Sequence, residues 1–154
     1  MATATAPAVP SRWELAAEAI AVKIRWIGLI VGYVLVNVHR HGQVSQAILN
    51  AILTLGAVYT LLDTYYSFRG KIFLGLYPLT ISVMEALFVG LLCYYDGGLE
   101  SSFRYYYLLS LICCAIRNPS RVTYATYALH CISYTTLYVA LPAEQRQPVA
   151  LVLT

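Results

Sequence analysis

Long apolar stretches recur along this chain and leave little room for anything else. Residues 22–38, 47–66, 72–95, 102–117 and 122–141 are mostly hydrophobic, and the segments between them hold four to eight residues. A helix needs about 20 apolar residues, within a range of about 17–25, to cross a bilayer. The fourth stretch is short, but its aromatic start, FRYYY, suits an interfacial position that lets a short helix span with little tilt. The chain is 60% hydrophobic and 11% charged, whereas a soluble domain carries about 45–50% apolar and about 25% charged residues. An integral membrane protein is therefore expected, with an all-α fold: a polytopic membrane helix bundle of five spans plus a truncated sixth. The sixth would begin with PVALVLT, residues 148–154. Seven residues cover only about 10 Å, a third of the hydrocarbon core, so the sequence reads as a fragment cut inside that helix.

Residues 1–21 open with small, polar and Pro-containing sequence and read as a mobile cytoplasmic tail. No A-x-A-like cleavage site follows the first apolar run, which therefore reads as a retained helix. Orientation follows from Lys and Arg, which are kept on the cytoplasmic side. Arg12, Lys23, Arg25, Arg69, Lys71, Arg117 and Arg121 fall on one side of the expected spans, and Arg40, Arg104 and Arg146 on the other. The N-terminus is thus expected inside, and the segment DGGLESS, residues 96–102, outside.

The formal net charge of +3 is small and scattered, which argues against a nucleic-acid partner. Cys93, Cys113, Cys114 and Cys131 all lie inside apolar stretches, without zinc-site spacing or a disulfide framework, and read as small buried hydrophobes. His39 and His41 lie at an expected outer edge while His130 is central, so a bis-histidine haem is not expected, nor is a metal. No phosphate-binding loop and no nucleophile with its base is present, and the chain is expected to bind or sense rather than to catalyse.

Charged groups inside a span cost about 2.5–3.5 kcal/mol on insertion scales, so each marks a candidate site facing the bundle interior. Asp63, in TLLDTYY, is expected to reach interfacial water or to pair with Arg69 or Lys71. Glu85, in SVMEALF, has no Lys or Arg at its expected depth; it should carry a proton or bond to a partner such as His130. Protonated and satisfied by Ser, Thr or Tyr hydroxyls, it would serve helix packing alone. Tyr127, His130, Tyr134 and Tyr138 share one face of the fifth helix by their spacing. Such a stripe would line a ligand cleft or serve as glue between helices.

The break YYDGGLESSF, residues 94–103, is explained in part as a turn. Gly97 and Gly98 suit the left-handed end of a helix. Ser101 or Ser102 can cap the next one, with Glu100 favourably placed near its N-terminus. The sequence G-G-x-x-S-S-F, Gly97 to Phe103, also resembles the G-G-x-x-N-P-F segment in the membrane domain of RegB/PrrB-type redox-sensing histidine kinases, and is similar to loops of PilS-like sensors. Ser101 stands where that family has Asn, and Ser102 where it has Pro. The resemblance implies the N-terminal sensor domain of a two-component histidine kinase in the bacterial inner membrane, dimeric through its membrane helices. It also implies a bound ubiquinone or menaquinone near Gly97, Gly98, Ser101, Ser102 and Phe103. The headgroup would lie among Tyr94, Tyr95, Tyr105 and Tyr106, with Glu85 and His130 as further candidate contacts, and the signal would pass to a cytoplasmic output domain. The competing expectation is a small structural subunit of a larger membrane complex.

Overall fold

The computed structural model describes residues 12–38, 42–71 and 77–141, which form five α-helices: α1 (Arg12–Val38), α2 (Gln43–Phe68), α3 (Pro78–Asp96), α4 (Tyr105–Arg117) and α5 (Ser120–Ala140). Local chemistry accounts for most of the boundaries. Pro78 sits in the first turn of α3, where a missing N–H costs nothing and the fixed φ is already helical. Gly97 and Gly98 end α3 with φ of 123° and 70°. Gly98 is doubly constrained, because a Cβ there would lie 2.7 Å from Leu141 Cδ1. Two short 3-10 turns, Gly98–Glu100 and Ser102–Arg104, then lead into α4. Of the two serines that the sequence left as alternatives, Ser101 is the cap: its hydroxyl accepts from Phe103 N at 3.0 Å and donates to Asp96 Oδ2 at 2.6 Å.

The helices pack as one bundle, with α1 against α2 and α4, α3 against α2 and α5, and α4 against α5. Its interior is divided along its length. Towards the end holding the C-terminus of α1 and the N-terminus of α4, the core is apolar: Val36, Leu49, Leu53, Leu92, Leu99, Phe103, Leu137 and Leu141. Towards the other end it holds buried Glu18, Asp63, Ser82, Ser110, Thr126 and His130. Large apolar residues cover the outside, among them Ile27, Ile30, Val34, Leu55, Leu61, Leu87, Leu108 and Ile132. That is the surface expected where hydrocarbon, not water, is the solvent.

Three of the five helices, α1, α2 and α3, are long and apolar enough to cross a membrane, fewer than the five spans expected. The 13 residues of α4 rise only about 20 Å, and the 21 of α5 carry Ser, Thr, Tyr and His along much of their length. The expected sixth span, residues 148–154, lies outside the described residues. Helix α1 starts at Arg12, so residues 12–21 are helical and not tail. Arg12, Glu14 and Glu18 hide this segment from a hydropathy reading, yet Ala17, Glu18 and Ala21 are buried in the bundle.

Candidate functional site

The polar half of the interior is organised by Arg25, thirteen residues into α1. One guanidinium nitrogen donates to Asp63 Oδ2 on α2 and another to Glu85 Oε1 on α3. The guanidinium also lies 5.4 Å from the centre of the Tyr59 ring, a cation–π arrangement. This corrects both expectations for the acids. Asp63 is fully buried and pairs with Arg25, not with Arg69 or Lys71. Glu85 does have a cation at its depth. Counting Arg25 among the residues flanking the first span concealed it, since its long side chain carries the charge inward across the helix interface.

Glu85 has a second partner that reaches His130. Ser110 on α4 donates its hydroxyl to Glu85 Oε2, and Ser110 Oγ also lies 3.3 Å from His130 Nε2 on α5. The expected Glu85–His130 pairing is thus realised through a serine. His130 also meets the Tyr107 ring edge-on at 5.3 Å, and Tyr134 meets Tyr107 at 6.1 Å. Of the aromatic and imidazole stripe on α5, His130 is buried while Tyr127, Tyr134 and Tyr138 are exposed. Nearer the end of the bundle, Glu18 on α1 accepts from Arg117 on α4 at 2.7 Å, with both side chains buried. Its carboxyl also meets that of Asp63. Ser82, Thr126 and Cys114 join α3, α5 and α4, at 2.7 Å between the hydroxyls and 3.2 Å from hydroxyl to sulfur.

Two cavities flank this layer. One, of about 290 Å³, lies between α1, α2, α3 and α4 and is walled by apolar side chains such as Leu29, Ile52, Phe88 and Leu109, with Tyr59 and Ser110 also on its lining. The other, of about 280 Å³, is lined by Glu14, Glu18, Ser82, Arg117 and Asn118. Arg25 and Glu85 line both, so the polar vestibule and the apolar chamber adjoin at the ion pair.

The residues singled out in the sequence fall into two places. Glu85 and His130 belong to the polar layer, and Tyr106 borders the apolar cavity, donating to Gly28 O at 2.6 Å. Gly97, Gly98, Ser101, Ser102 and Phe103 form the loop at the opposite end. There Phe103 is fully buried and packs edge-on against Tyr106 at 5.2 Å, while Ser102 is exposed. Tyr95 packs against the apolar core and stacks edge-on with Tyr94 at 5.2 Å. Cys93, Cys113 and Cys114 are buried as expected, but Cys131 is exposed, and all four are free thiols.

Sequence reasoning missed Glu18, Arg25, Ser110 and Arg117 as interior groups. A signal existed: Glu18, Ala21, Arg25, Gly28 and Gly32 recur at three- and four-residue steps, so Arg25 shares a helical stripe with small residues. Comparison with protein families, with curated proteins and with solved structures finds no match.

Proposed function

We propose that this chain is a membrane-embedded sensory domain that binds a lipophilic ligand of the quinone class, ubiquinone or menaquinone, and reports its state to a cytoplasmic output domain. The observation that carries this reading is the chamber between α1, α2, α3 and α4. Its volume of about 290 Å³ is near the lower end of small-molecule sites, about 300–1,000 Å³, and such sites combine apolar walls with a few convergent polar groups. Arg25, Tyr59 and Ser110 bring donor groups to its lining, where a quinone carbonyl needs them. The apolar walls suit a ring and the start of an isoprenoid tail.

This reading moves the headgroup from the Gly97–Phe103 loop to the polar layer, leaving Glu85 and Tyr106 as the contacts shared with the sequence-based expectation. Transmission follows from the layer's connections. A ligand hydrogen-bonded to Arg25 or Ser110 competes with Asp63, Glu85 and His130 for the same donors and shifts the helices that carry them. The proposal also places the protein in the bacterial inner membrane, N-terminus inside, as a homodimer.

The test uses the purified chain in lipid nanodiscs. Added ubiquinone or menaquinone is expected to raise the midpoint of thermal unfolding, and a photoreactive quinone to label α1–α4 in preference to residues 97–103. Met84→Trp, which adds bulk at the cavity lining, is expected to weaken binding about tenfold, or about 1.4 kcal/mol. Absence of any stabilisation, or labelling confined to residues 97–103, overturns the chamber assignment.

A further inference from the structure

Glu18, Asp63 and Glu85 meet Arg25 and Arg117 in one layer. Three carboxyls against two guanidiniums leave one negative charge in a region where Glu18 is 1% exposed and Asp63 0%. Among the described residues, two carboxyl oxygens there have no hydrogen-bond donor, Glu18 Oε1 and Asp63 Oδ1. In each case the other oxygen of the same carboxyl is held by an arginine, and the two carboxyls meet each other. Adjacent carboxylates with no donor between them repel, and a buried acceptor without a partner is costly. A single proton between them removes both penalties and cancels the surplus charge.

We propose that this layer is a proton-binding site in which Glu18 and Asp63 share one proton, exchanged through the polar vestibule. The other groups facing it among the described residues do not supply that donor. On α1, Glu14 lines the vestibule, itself acidic. On α2, Tyr59 lies beside Arg25; on α3, Glu85 is held by Arg25 and Ser110. On α4, Cys113 faces the apolar cavity and Cys114 contacts Thr126, and Arg117 is engaged by Glu18. On α5, His130 connects through Ser110 to Glu85. A metal ion is a poorer occupant, because among the described residues no group of three or more His, Cys, Asp or Glu is placed to hold one.

The site also has a way to act at a distance. Asp63 holds Arg25, and Arg25 holds Glu85 on the wall of the apolar cavity. Releasing the proton adds negative charge beside Asp63 and draws Arg25 towards it, loosening Glu85 and changing the polar part of the chamber. The proton site stands whether or not that chamber takes a quinone.

Infrared difference spectroscopy of the protein in lipid reads the proton directly, since only a protonated carboxyl gives the acid C=O stretch. The wild type is expected to show such a band near neutral pH, shifted in D2O and lost on alkalinisation. Glu18→Gln and Asp63→Asn should each abolish it, and Glu100→Gln, exposed at the opposite end of the bundle, should leave it unchanged. Selective carbon-13 labelling of Asp, then of Glu, assigns the band in the wild type without relying on any variant's folding; a shared proton makes the band respond to both labels. Absence of the band at every pH at which the helices persist overturns the proposal, as does a band that survives both substitutions. Stabilisation by sodium or potassium at fixed pH without a protonated carboxyl would overturn it in favour of a cation. A proton on His130 with all three carboxyls ionised would do so in favour of the imidazole.

Discussion

Arg25 donates from two nitrogens to carboxylates on two other helices, so its removal exposes more than a lost contact. Truncating it to Leu leaves buried Asp63 and half-buried Glu85 without their cation, and breaking a buried pair in this way costs about 3–5 kcal/mol. Reversible unfolding in detergent should show a loss of that order for Arg25→Leu. Arg25→Lys should recover only part of it, because a compact ammonium on a flexible stem lacks the fork that spans two acceptors. Ser110→Ala is a milder test of the same layer. It removes the donor to Glu85 Oε2 and the link to His130, which predicts a loss of about 1–3 kcal/mol, the cost of leaving a buried polar group without its partner. The acids were legible as residues of interest because each interrupts an apolar run. Their partner was not, since Arg25 and Glu85 are sixty positions apart and sequence does not state the register of α1 relative to α3 across the bundle.

At the scale of the element, the loop that joins α3 to α4 has a structural reason at nearly every position that drew notice. Gly97 and Gly98 take positive φ, Ser101 caps the following turn, and Phe103 fills the apolar core. Phe103→Ala is therefore expected to cost about 3–5 kcal/mol as a cavity in a packed interior, and Ser101→Ala about 1 kcal/mol as a lost cap. Exposed Ser102 should tolerate Ala within about 0.5 kcal/mol. Thermal unfolding of the three variants separates packing from ligand contact, because a loop that served chiefly as a binding site would show the opposite order, with quinone-dependent stabilisation lost and basal stability kept. The glycines were readable because left-handed backbone has few other residues to use. Which serine capped the turn was not, because Ser101 and Ser102 are chemically equivalent and only the path of the chain towards Asp96 distinguishes them. The start of α1 was hidden for a different reason. Hydropathy treats Glu18 as a solvated charge, whereas its pairing with Arg117 lets the helix extend inward by ten further residues.

For the whole molecule, the all-α fold and the presence of helices long and apolar enough to cross a membrane followed from the recurrence of apolar stretches, while the number of such helices and the division of the interior into an apolar half and an ion-paired half did not. That division bears on how the bundle sits in the bilayer. α1, α2 and α3 satisfy the length and hydropathy of spans; α4, which is shorter, and α5, which is less apolar, pack against them. If α4 and α5 also cross, with the N-terminus inside, Ser102 faces the exterior and Gly70, between α2 and α3, faces the cytoplasm. A single reporter cysteine at each position, in a background with Cys93, Cys113, Cys114 and Cys131 replaced, tests this in intact cells. A membrane-impermeant thiol reagent is expected to label Ser102→Cys before lysis and Gly70→Cys only after it. A third reporter at Ser120, at the start of α5, distinguishes the two arrangements: labelling only after lysis means that α4 crosses between Ser102 and Ser120. Labelling of Ser120→Cys in intact cells would leave α4 on the outer side and allow at most four spans, α5 among them. The vestibule lined by Glu14, Glu18 and Arg117 would then have to join residues on opposite sides of the bilayer. Because that cavity and the Glu18–Arg117 pair require the N-terminal part of α1 and the C-terminal end of α4 at one level, the packing favours an α4 that crosses, and the Ser120 reporter decides it.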